Sequence, residues 1–316
     1  MASVTQPASP RLVAQAPLRF VTATSIFDGH DAAINIIRRL LQAQGAEVVH
    51  LGHNRGVEDI VRAALQEDAD GIAVSSYQGG HLEFFRYLLD SLKAAGAGEI
   101  RVFAGGGGTI TDEEAKALEA YGVDKIYLPE DGQRLGLEGM AKDIIARARA
   151  LKSAYAPARR FGREDFRAVG RTLSLIETGL PPALRKRKDR SVPVVGVTGS
   201  GGSGKSTVID ELLGACLRSF PTRAFAVIAL DPTRQKSGGA LLGDRLRMNF
   251  AADPRVFMRS MATRRRHLAT NEVLGDCVDF LKSLGFDLIL IETAGAGQGG
   301  TELVGLADIS LYVMTS

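Results

Sequence analysis

Phosphate-binding chemistry is indicated by one glycine-rich stretch, Gly199-Ser200-Gly201-Gly202-Ser203-Gly204-Lys205-Ser206. The apolar run before it predicts a buried strand, and the apolar spacing after it predicts a helix, so the glycines fall in a strand-to-helix turn. Such a turn binds phosphate because its backbone N–H groups face the anion and the positive end of the helix lies behind them. The pattern therefore favours a phosphate-binding loop over a plain glycine turn.

The residues of this loop have separate expected roles. Lys205 would reach the terminal phosphates of a nucleotide and assist their transfer, and the Ser206 hydroxyl would bind Mg²⁺. The same glycines also fit the dinucleotide pattern G-x-G-x-x-G, but that fold has no use for the adjoining Lys-Ser pair. The other expected nucleotide contacts are Gly201, Gly202, Ser203, Gly204 and Thr207.

Two acidic residues stand where predicted strands of this second half end. Asp231 follows the apolar run 224–230, and Glu292 follows the run 287–291. Because Mg²⁺ takes oxygen ligands, both acids are candidates to meet Ser206 around one ion. Either could instead cap a helix or a loop. The glycine-rich, charged residues 231–245 between them suit a mobile switch segment ordered by the terminal phosphate, or else an ordinary surface loop.

The first half of the chain alternates short apolar runs with amphipathic helices. Five such units predict a parallel sheet covered on both faces, most simply with the flavodoxin-like (Rossmann-like) strand order. Ligands of such sheets bind outside the carboxyl ends of the strands. The predicted strands are 19–22, 47–51, 71–74, 101–104 and 125–128, and the predicted helices are 33–44, 57–66, 82–94, 112–121 and about 135–151.

Three segments fall at that edge of the sheet: residues 28–30, 75–80 and 105–108. His30 stands two residues after Asp28, so its imidazole could bind a metal while the carboxylate binds the other ring nitrogen. An exposed histidine can equally be inert, and the spacing alone leaves both readings open. A response-regulator domain would need an aspartate after the third strand, where Ser75 and Ser76 stand instead.

These three segments carry a resemblance to a known family. They are similar to the D-x-H-x-x-G, S-x-L and G-G signature of the cobalamin-binding domains in methylmalonyl-CoA mutase and its relatives, over about residues 18–151. The resemblance implies that His30 replaces the cofactor's own benzimidazole as the lower cobalt ligand. The sequence departs from the signature at Ala33 and Tyr77, which bears on the tail pocket. The implied cofactor-binding residues are Asp28, Gly29, His30, Ser75, Gly105, Gly106, Pro129 and Glu130.

A second resemblance covers the phosphate-loop half. Residues 292–298 resemble the E-T-x-G-x-G-Q segment of the metallochaperone G proteins that escort cobalamin mutases. Residues 231–232 and 243–248 resemble their D-P and G-D-R-x-R-M segments. This implies GTP and GDP as ligands, and Asp244 joins the expected magnesium ligands. Gln298 could orient the attacking water as a catalytic residue or could serve only the switch. No N-K-x-D segment is present, so guanine preference depends on the resemblance alone.

The expected organisation is a disordered tail at 1–17, a cobalamin-binding domain at 18–152, a helical linker at 153–191 and a partial P-loop G domain at 192–316. This order resembles the fused acyl-CoA mutases of the methylmalonyl-CoA mutase family, in which a large acyl-CoA barrel follows. It implies an adenosylcobalamin-dependent isomerase that interconverts isobutyryl-CoA and n-butyryl-CoA by radical rearrangement. It also implies a GTPase chaperone that gates cofactor loading, a homodimer in the full protein, and a chain that is the amino-terminal part of a longer protein or a natural truncation.

Two other functions are compatible with the same motifs. One is a stand-alone cobalamin carrier whose GTPase domain controls delivery to a separate partner. The other is a cobalamin sensor with an inactive nucleotide fold. The sensor function is disfavoured because an inactive nucleotide fold does not need the phosphate- and magnesium-binding side chains that this sequence contains. These are Lys205, Ser206, Asp231 and Glu292.

Composition limits the remaining classes. The formal net charge of +3, with interleaved signs, gives no signature of nucleic-acid or membrane binding. Cys216 and Cys277 lie in helical patterns without metal-ligand spacing, so we expect reduced, packed thiols in a cytoplasmic protein rather than a disulfide or zinc.

Overall fold

The fold is that of a computed structural model, which describes residues 16–150, 156, 160–179, 192–233, 237–263, 267–293 and 305–315. The chain divides into two compact units. The first comprises residues 17–154 together with 233–246, and the second comprises residues 155–232 and 247–316 with the amino-terminal residues.

The first unit is built on a parallel sheet with buried strands. The first five strands follow the order β5-β4-β3-β1-β2, which confirms the flavodoxin-like order expected from the sequence. Because the strands are buried on both faces, they read as continuous apolar runs. The strands are β1 (Arg19–Thr24), β2 (Glu47–His50), β3 (Gly71–Ser75), β4 (Arg101–Gly105) and β5 (Lys125–Tyr127).

Five helices cover this sheet: α1 (Ala32–Ala43), α2 (Val57–Gln66), α3 (His81–Ala94), α4 (Asp112–Tyr121) and α5 (Pro129–Ala150). A capping box begins α4, in which Thr111 accepts from the Glu114 amide and Glu114 accepts from the Thr111 amide. The last helix starts earlier than the expected residue 135. Gly136, at φ 66°, breaks it into a short amino-terminal part and the longer helix that the apolar spacing predicts.

A buried ionic cluster lies under the amino-terminal edge of the sheet. Arg19 donates to Glu47 Oε2 at 2.6 Å and to Glu67 Oε2 at 3.1 Å. All three side chains are almost fully buried, and each charge has an opposite charge beside it. Pairing of this kind makes the burial of ionised groups tolerable.

His50, at the end of β2, is a buried neutral histidine. Its Nδ1 lies 2.9 Å from the Thr22 hydroxyl. Burial, and secondly the positive charge of Arg38, lowers the pKa of His50 from 6.5 to about 4, although Asp31 acts in the opposite direction.

A sixth strand, β8 (Ala240–Leu242), extends this sheet beside β2. It comes from residues 233–246, which we expected in the second domain as a mobile switch or a surface loop. Instead Ala240, Leu241 and Leu242 pair with Glu47, Val48 and Val49 in parallel. The sequence did not predict this strand, because three residues carry no periodicity of their own and the strand is defined only by its partner.

The second unit has a five-stranded parallel sheet in the order β11-β6-β10-β7-β9. This confirms the second α/β domain that the sequence predicts after the first sheet. Its strands are β6 (Val194–Gly199), β7 (Phe225–Pro232), β9 (Val256–Thr263), β10 (Leu288–Glu292) and β11 (Ile309–Val313). Its described helices are α6 (Phe166–Glu177), α7 (Lys205–Ser219) and α8 (His267–Ser283).

The helix α6 was expected in a linker, but it packs in the core of the second unit. Val169, Leu173 and Ile176 join the apolar cluster around Phe257 of β9. Strand β9 itself was not predicted. Its fully buried Arg259 donates to Glu177 Oε1 of α6 at 2.6 Å, so a charge interrupts what would otherwise be an apolar run.

In the described residues we find no helix long and apolar enough to cross a bilayer. The same residues contain no cluster of three or more His, Cys, Asp or Glu side chains arranged to hold a metal ion.

Candidate functional site

The loop after β1 places a histidine beside a buried carboxylate. Asp28 is buried, and its Oδ1 lies 3.0 Å from His30 Nδ1 and accepts from the His30 amide at 2.8 Å. Asp28 Oδ2 accepts from the Tyr77 amide at 2.5 Å, which ties this loop to the segment after β3. The His30 side chain is 79% exposed. The arrangement fixes one ring nitrogen through Asp28 and leaves Nε2 available to a ligand from solvent.

A cavity of about 200 Å³ opens at the same edge of the first unit. Its walls are mainly apolar, and they come from the ends of β3, β4 and β5 together with α1 and α5. Tyr77 connects the cavity to the histidine, because it lines the cavity and its ring centroid lies 5.6 Å from that of His30. Of the residues expected in the tail slot, Ser75, Gly105, Gly106 and Pro129 line this cavity.

One polar atom in the cavity wall has no partner among the described residues. The Ser75 hydroxyl oxygen is buried and makes no hydrogen bond in this part of the chain. A buried hydroxyl without a partner is unfavourable, so a ligand with a polar group would satisfy it. An apolar cavity with one convergent hydroxyl suits a mainly apolar ligand group that carries a polar atom, and the exposed imidazole beside it could bind a metal.

Two of the expected cofactor-binding residues, Glu130 and Gly29, do not line the cavity, and neither does Asp131, which follows Glu130. Glu130 is exposed in the first turn of α5 and does not line the cavity, and Gly29 is exposed in the loop. Asp131 is buried and pairs with Arg134 at 2.7 Å. Burial raises the pKa of Asp131, but the bonds from Arg134 and the Leu128 amide outweigh it, and the pKa is lowered. Asp131 therefore serves the start of α5.

Several lining residues were not expected from the sequence. Their common property is that they are apolar and come from helices that fold over the sheet edge, so no local motif distinguishes them from core residues. The unexpected lining residues include Ile34, Ile37, Phe103, Leu137, Met140 and Ile144.

The phosphate loop of the second unit has the expected strand-loop-helix setting. It leaves β6 at Gly199 and enters α7 at Lys205. Gly204, immediately before the helix, has φ 90°, a conformation that favours glycine. Gly199, at φ 146°, lies so close to the Val313 carbonyl oxygen that no side chain would fit. Gly201 and Gly202 are exposed, and Thr207 is exposed in the first turn of α7.

Lys205 and Ser206 have partners that suit nucleotide chemistry. The buried ammonium group of Lys205 donates to the carbonyl oxygens of Ser200 at 3.0 Å and Gly199 at 3.2 Å, across the loop. The Ser206 hydroxyl donates to Glu292 Oε1 at 2.7 Å. Both side chains of this pair are buried. A hydroxyl and a carboxylate in contact provide two oxygen ligands for a hard cation.

The structure brings some of the other expected magnesium ligands together. Asp231 lies in β7, next to β10, and Glu292 pairs with Ala229 two residues before it. Both acids therefore stand at the carboxyl ends of neighbouring strands. Asp244 begins a short 3-10 helix in the first unit, and it is buried. Gln298 lies outside the described residues.

Comparison with known proteins gives a family match for each half of the chain. The B12 binding domain model matches residues 18–152, and the model of the methylmalonyl-CoA mutase-associated GTPase MeaB matches residues 177–316. The small subunit of 2-hydroxyisobutanoyl-CoA mutase from Aquincola tertiaricarbonis is 32% identical over 133 residues, which are 42% of this chain and 96% of that protein. The chain belongs to the B12-binding acyl-CoA mutase family. Both resemblances stated from the motifs are thereby confirmed.

Longer relatives match both halves of the chain. The fused isobutyryl-CoA mutase of Geobacillus kaustophilus is 48% identical over 314 residues, covering 95% of this chain and 29% of that protein. The enzyme of the same name from Cupriavidus metallidurans is 49% identical over 323 residues, covering 99% and 30%. The chain spans about three tenths of the length of these relatives.

Proposed function

We propose that this chain supplies the cobalamin and nucleotide sites of an adenosylcobalamin-dependent acyl-CoA mutase with a built-in GTPase chaperone. The reaction is the interconversion of isobutyryl-CoA and n-butyryl-CoA, with the acyl-CoA bound by a barrel outside this chain. The proposal includes GTP with Mg²⁺ in the phosphate loop, a homodimeric full protein and a cytoplasmic location. It is supported by the similarity to fused isobutyryl-CoA mutases over nearly the whole chain.

The observation that carries the proposal is the Asp28–His30 pair beside the apolar cavity. In this pair, His30 Nε2 would bind cobalt. Asp28 would fix the orientation of the imidazole ring and raise the basicity of the ring. Ser75 would donate or accept one hydrogen bond to the displaced nucleotide tail, and Gly105, Gly106 and Pro129 would form walls of the slot. The bound cofactor supplies the radical chemistry, and the protein supplies ligation and exclusion of water.

The GTPase half of the proposal depends on charge neutralisation and positioning. Lys205 would exchange its two carbonyl partners for the terminal phosphates, and Ser206 would exchange Glu292 for Mg²⁺. Glu292 and Asp231 would hold the ion and its waters, and magnesium binding by Asp244 stays a prediction. Hydrolysis would open or close access to the cobalamin site, with Gln298 either orienting the attacking water or serving only the switch.

The test is the visible spectrum of adenosylcobalamin bound to the purified chain. With His30 as the lower ligand, the wild-type spectrum should show a histidine-bound, benzimidazole-free cofactor, and His30→Ala should lose it. His53→Ala is the matched control, since His53 is also an exposed histidine in a loop of the first unit. A histidine-bound spectrum that persists in His30→Ala would contradict the assignment.

The nucleotide half is tested separately by equilibrium dialysis with radiolabelled GTP in the presence and absence of Mg²⁺. Binding that requires Mg²⁺ and is lost in Lys205→Ala supports the GTPase assignment. Absence of any Mg²⁺-dependent binding would leave the cobalamin sensor as the better description of the chain.

A further inference from the structure

The turn that precedes the Asp28–His30 pair contains a phenylalanine in an unfavourable backbone conformation. The Asp28 amide donates to the Ser25 carbonyl at 3.2 Å, so residues 25–28 form a β-turn directly after β1. Phe27, the third residue of this turn, has φ 63°. A positive φ at the third position favours glycine or asparagine, because other side chains crowd their own backbone there. The backbone therefore gives no reason for a phenylalanine at this position.

Burial gives no reason for this residue either. Phe27 is 85% exposed, more than any other large apolar residue in the part of the chain that the structure describes. The exposed rings of Tyr87 and Tyr121 differ from it, since their hydroxyl groups donate to Glu58 and Asp90. The phenyl ring has no polar group to make such a bond. Exposed in a strained turn, it contributes little to the stability of the free chain.

A second loop holds the turn in this conformation. The Phe27 amide donates to the side-chain oxygen of Asn54 at 2.8 Å. Asn54 itself has φ 54°, which asparagine tolerates. The backbones of the two loops are also joined, because Ser25 forms a β-bridge with Arg55 and the Arg55 amide donates to the Thr24 carbonyl at 3.0 Å. The surrounding structure therefore imposes the conformation of Phe27.

The same turn leads into the candidate metal ligand. Phe27 adjoins Asp28, whose carboxylate contacts His30 Nδ1 and accepts from the Tyr77 amide. Phe27 and His30 are three positions apart, so their Cα atoms lie within about 11 Å of each other. Both side chains are exposed. A large, flat ligand bound to His30 Nε2 extends over the surface around the imidazole, and the phenyl ring is an apolar group within reach of it.

We propose that Phe27 is a contact residue for the corrin ring of the cofactor, and that the strained turn holds its phenyl ring ready for that contact. This inference rests on the proposed cobalamin-binding function and assigns to it a residue outside the D-x-H-x-x-G signature. Contact with the phenyl ring removes apolar surface of the macrocycle from water, which favours binding. Because the turn is already fixed in the free chain, binding does not incur the entropy loss of ordering it.

The test compares adenosylcobalamin affinity with the stability of the full chain without cofactor, because the proposal predicts opposite changes in the two. Spectral titration gives the Kd, and thermal unfolding followed by tyrosine fluorescence gives the Tm. Phe27→Gly relieves the backbone strain and removes the ring. We expect the Tm to rise by about 2 °C. We expect the Kd to rise by about tenfold, since the contact is lost.

Two further variants separate the role of the ring from that of the backbone. Phe27→Asn keeps a residue that tolerates the turn but removes the ring, so its Kd should rise about as much as that of Phe27→Gly. Phe27→Tyr keeps the ring and should bind within about twofold of wild type. At saturating cofactor, each variant should show the histidine-bound spectrum, since His30 is unchanged. Loss of that spectrum in Phe27→Asn would mean that the residue acts through His30, which would overturn the contact.

Asp68→Gly is the matched control. Asp68 also has a positive φ, of 49°, but it lies just before β3 begins, at the opposite edge of the sheet from the cavity. Its replacement by glycine changes the same kind of backbone position away from His30. The Kd for adenosylcobalamin should therefore equal that of wild type.

The outcomes distinguish the contact from the proposed function. Wild-type affinity in both Phe27→Gly and Phe27→Asn would overturn the contact while the cobalamin site stands. A lower Tm in Phe27→Gly would overturn the strained turn as the device that presents the ring. No binding of adenosylcobalamin by the wild-type chain would overturn the proposed function, and the contact with it.

Discussion

Replacing Gly106 by alanine should distort the cobalamin-binding edge of the sheet. Gly106 follows β4, lines the cavity and has a negative φ of −156°. The space around Gly106 is what excludes a larger residue at this position. An added Cβ would overlap the Ser76 carbonyl oxygen and would lie 3.0 and 3.1 Å from two carbons of Ile110. The Ser76 backbone cannot yield easily, because its amide donates to the Gly105 carbonyl at 2.8 Å.

The cost follows from the nature of these neighbours. The overlap is with backbone rather than with the end of a flexible side chain, so the ends of β3 and β4 must separate. Overpacking of this kind costs about 1–3 kcal/mol, and we expect about 2 kcal/mol for Gly106→Ala. For a unit of this size, that loss should lower the Tm by about 4–8 °C.

Gly108→Ala is the matched control. Gly108 belongs to the same run of four glycines, but an added Cβ there meets nothing within 4 Å among the described residues. We expect it to change the free energy of unfolding by less than about 0.5 kcal/mol.

Tyrosine fluorescence in urea is a suitable assay. The chain has no tryptophan, and four of its six tyrosines, at 77, 87, 121 and 127, lie in the first unit. The signal therefore reports mainly on the unit that carries the substitution. Adenosylcobalamin affinity, measured by spectral titration, should fall in Gly106→Ala and remain unchanged in Gly108→Ala. Equal stability of the two variants would refute the argument that the Ser76 carbonyl excludes a side chain.

Three further predictions follow from other parts of the chain. Because the pKa of His50 is about 4 when folded and 6.5 when exposed, the unfolded chain binds an extra proton between these pH values. Stability should therefore fall by up to about 3 kcal/mol as the pH drops from 6.5 to 4, and urea titrations of His50→Gln should lack this slope. Ser206→Ala should lower Mg²⁺-dependent nucleotide affinity by about tenfold and leave Mg²⁺-independent binding unchanged in dialysis, since only the ion contact is lost. Burial raises the pKa of Cys277 and, less strongly, of half-buried Cys216, so iodoacetamide should label Cys216 first, and equal labelling by mass spectrometry would contradict the packing of Cys277.

The local structure of the two candidate sites could be predicted largely from the sequence. The phosphate loop is a local pattern, in which a strand, a glycine turn and a helix with Lys205 and Ser206 follow each other directly. The Asp28–His30 pair is also local, because only Gly29 separates the two residues on one loop. The five-stranded order follows from the alternation of strands and helices, since right-handed crossovers leave few arrangements of a parallel sheet.

The tertiary structure decided what depends on distant partners. Strand β8 exists only because β2 offers an open edge almost two hundred residues earlier in the chain. Strand β9 was obscured because Arg259 is neutralised by Glu177, which lies 82 residues away. The apolar walls of the cavity look like core positions in the sequence. Sequence determines which groups can do chemistry, since their spacing is short, while the sheet edges and buried charge pairs depend on contacts whose formation no local pattern records.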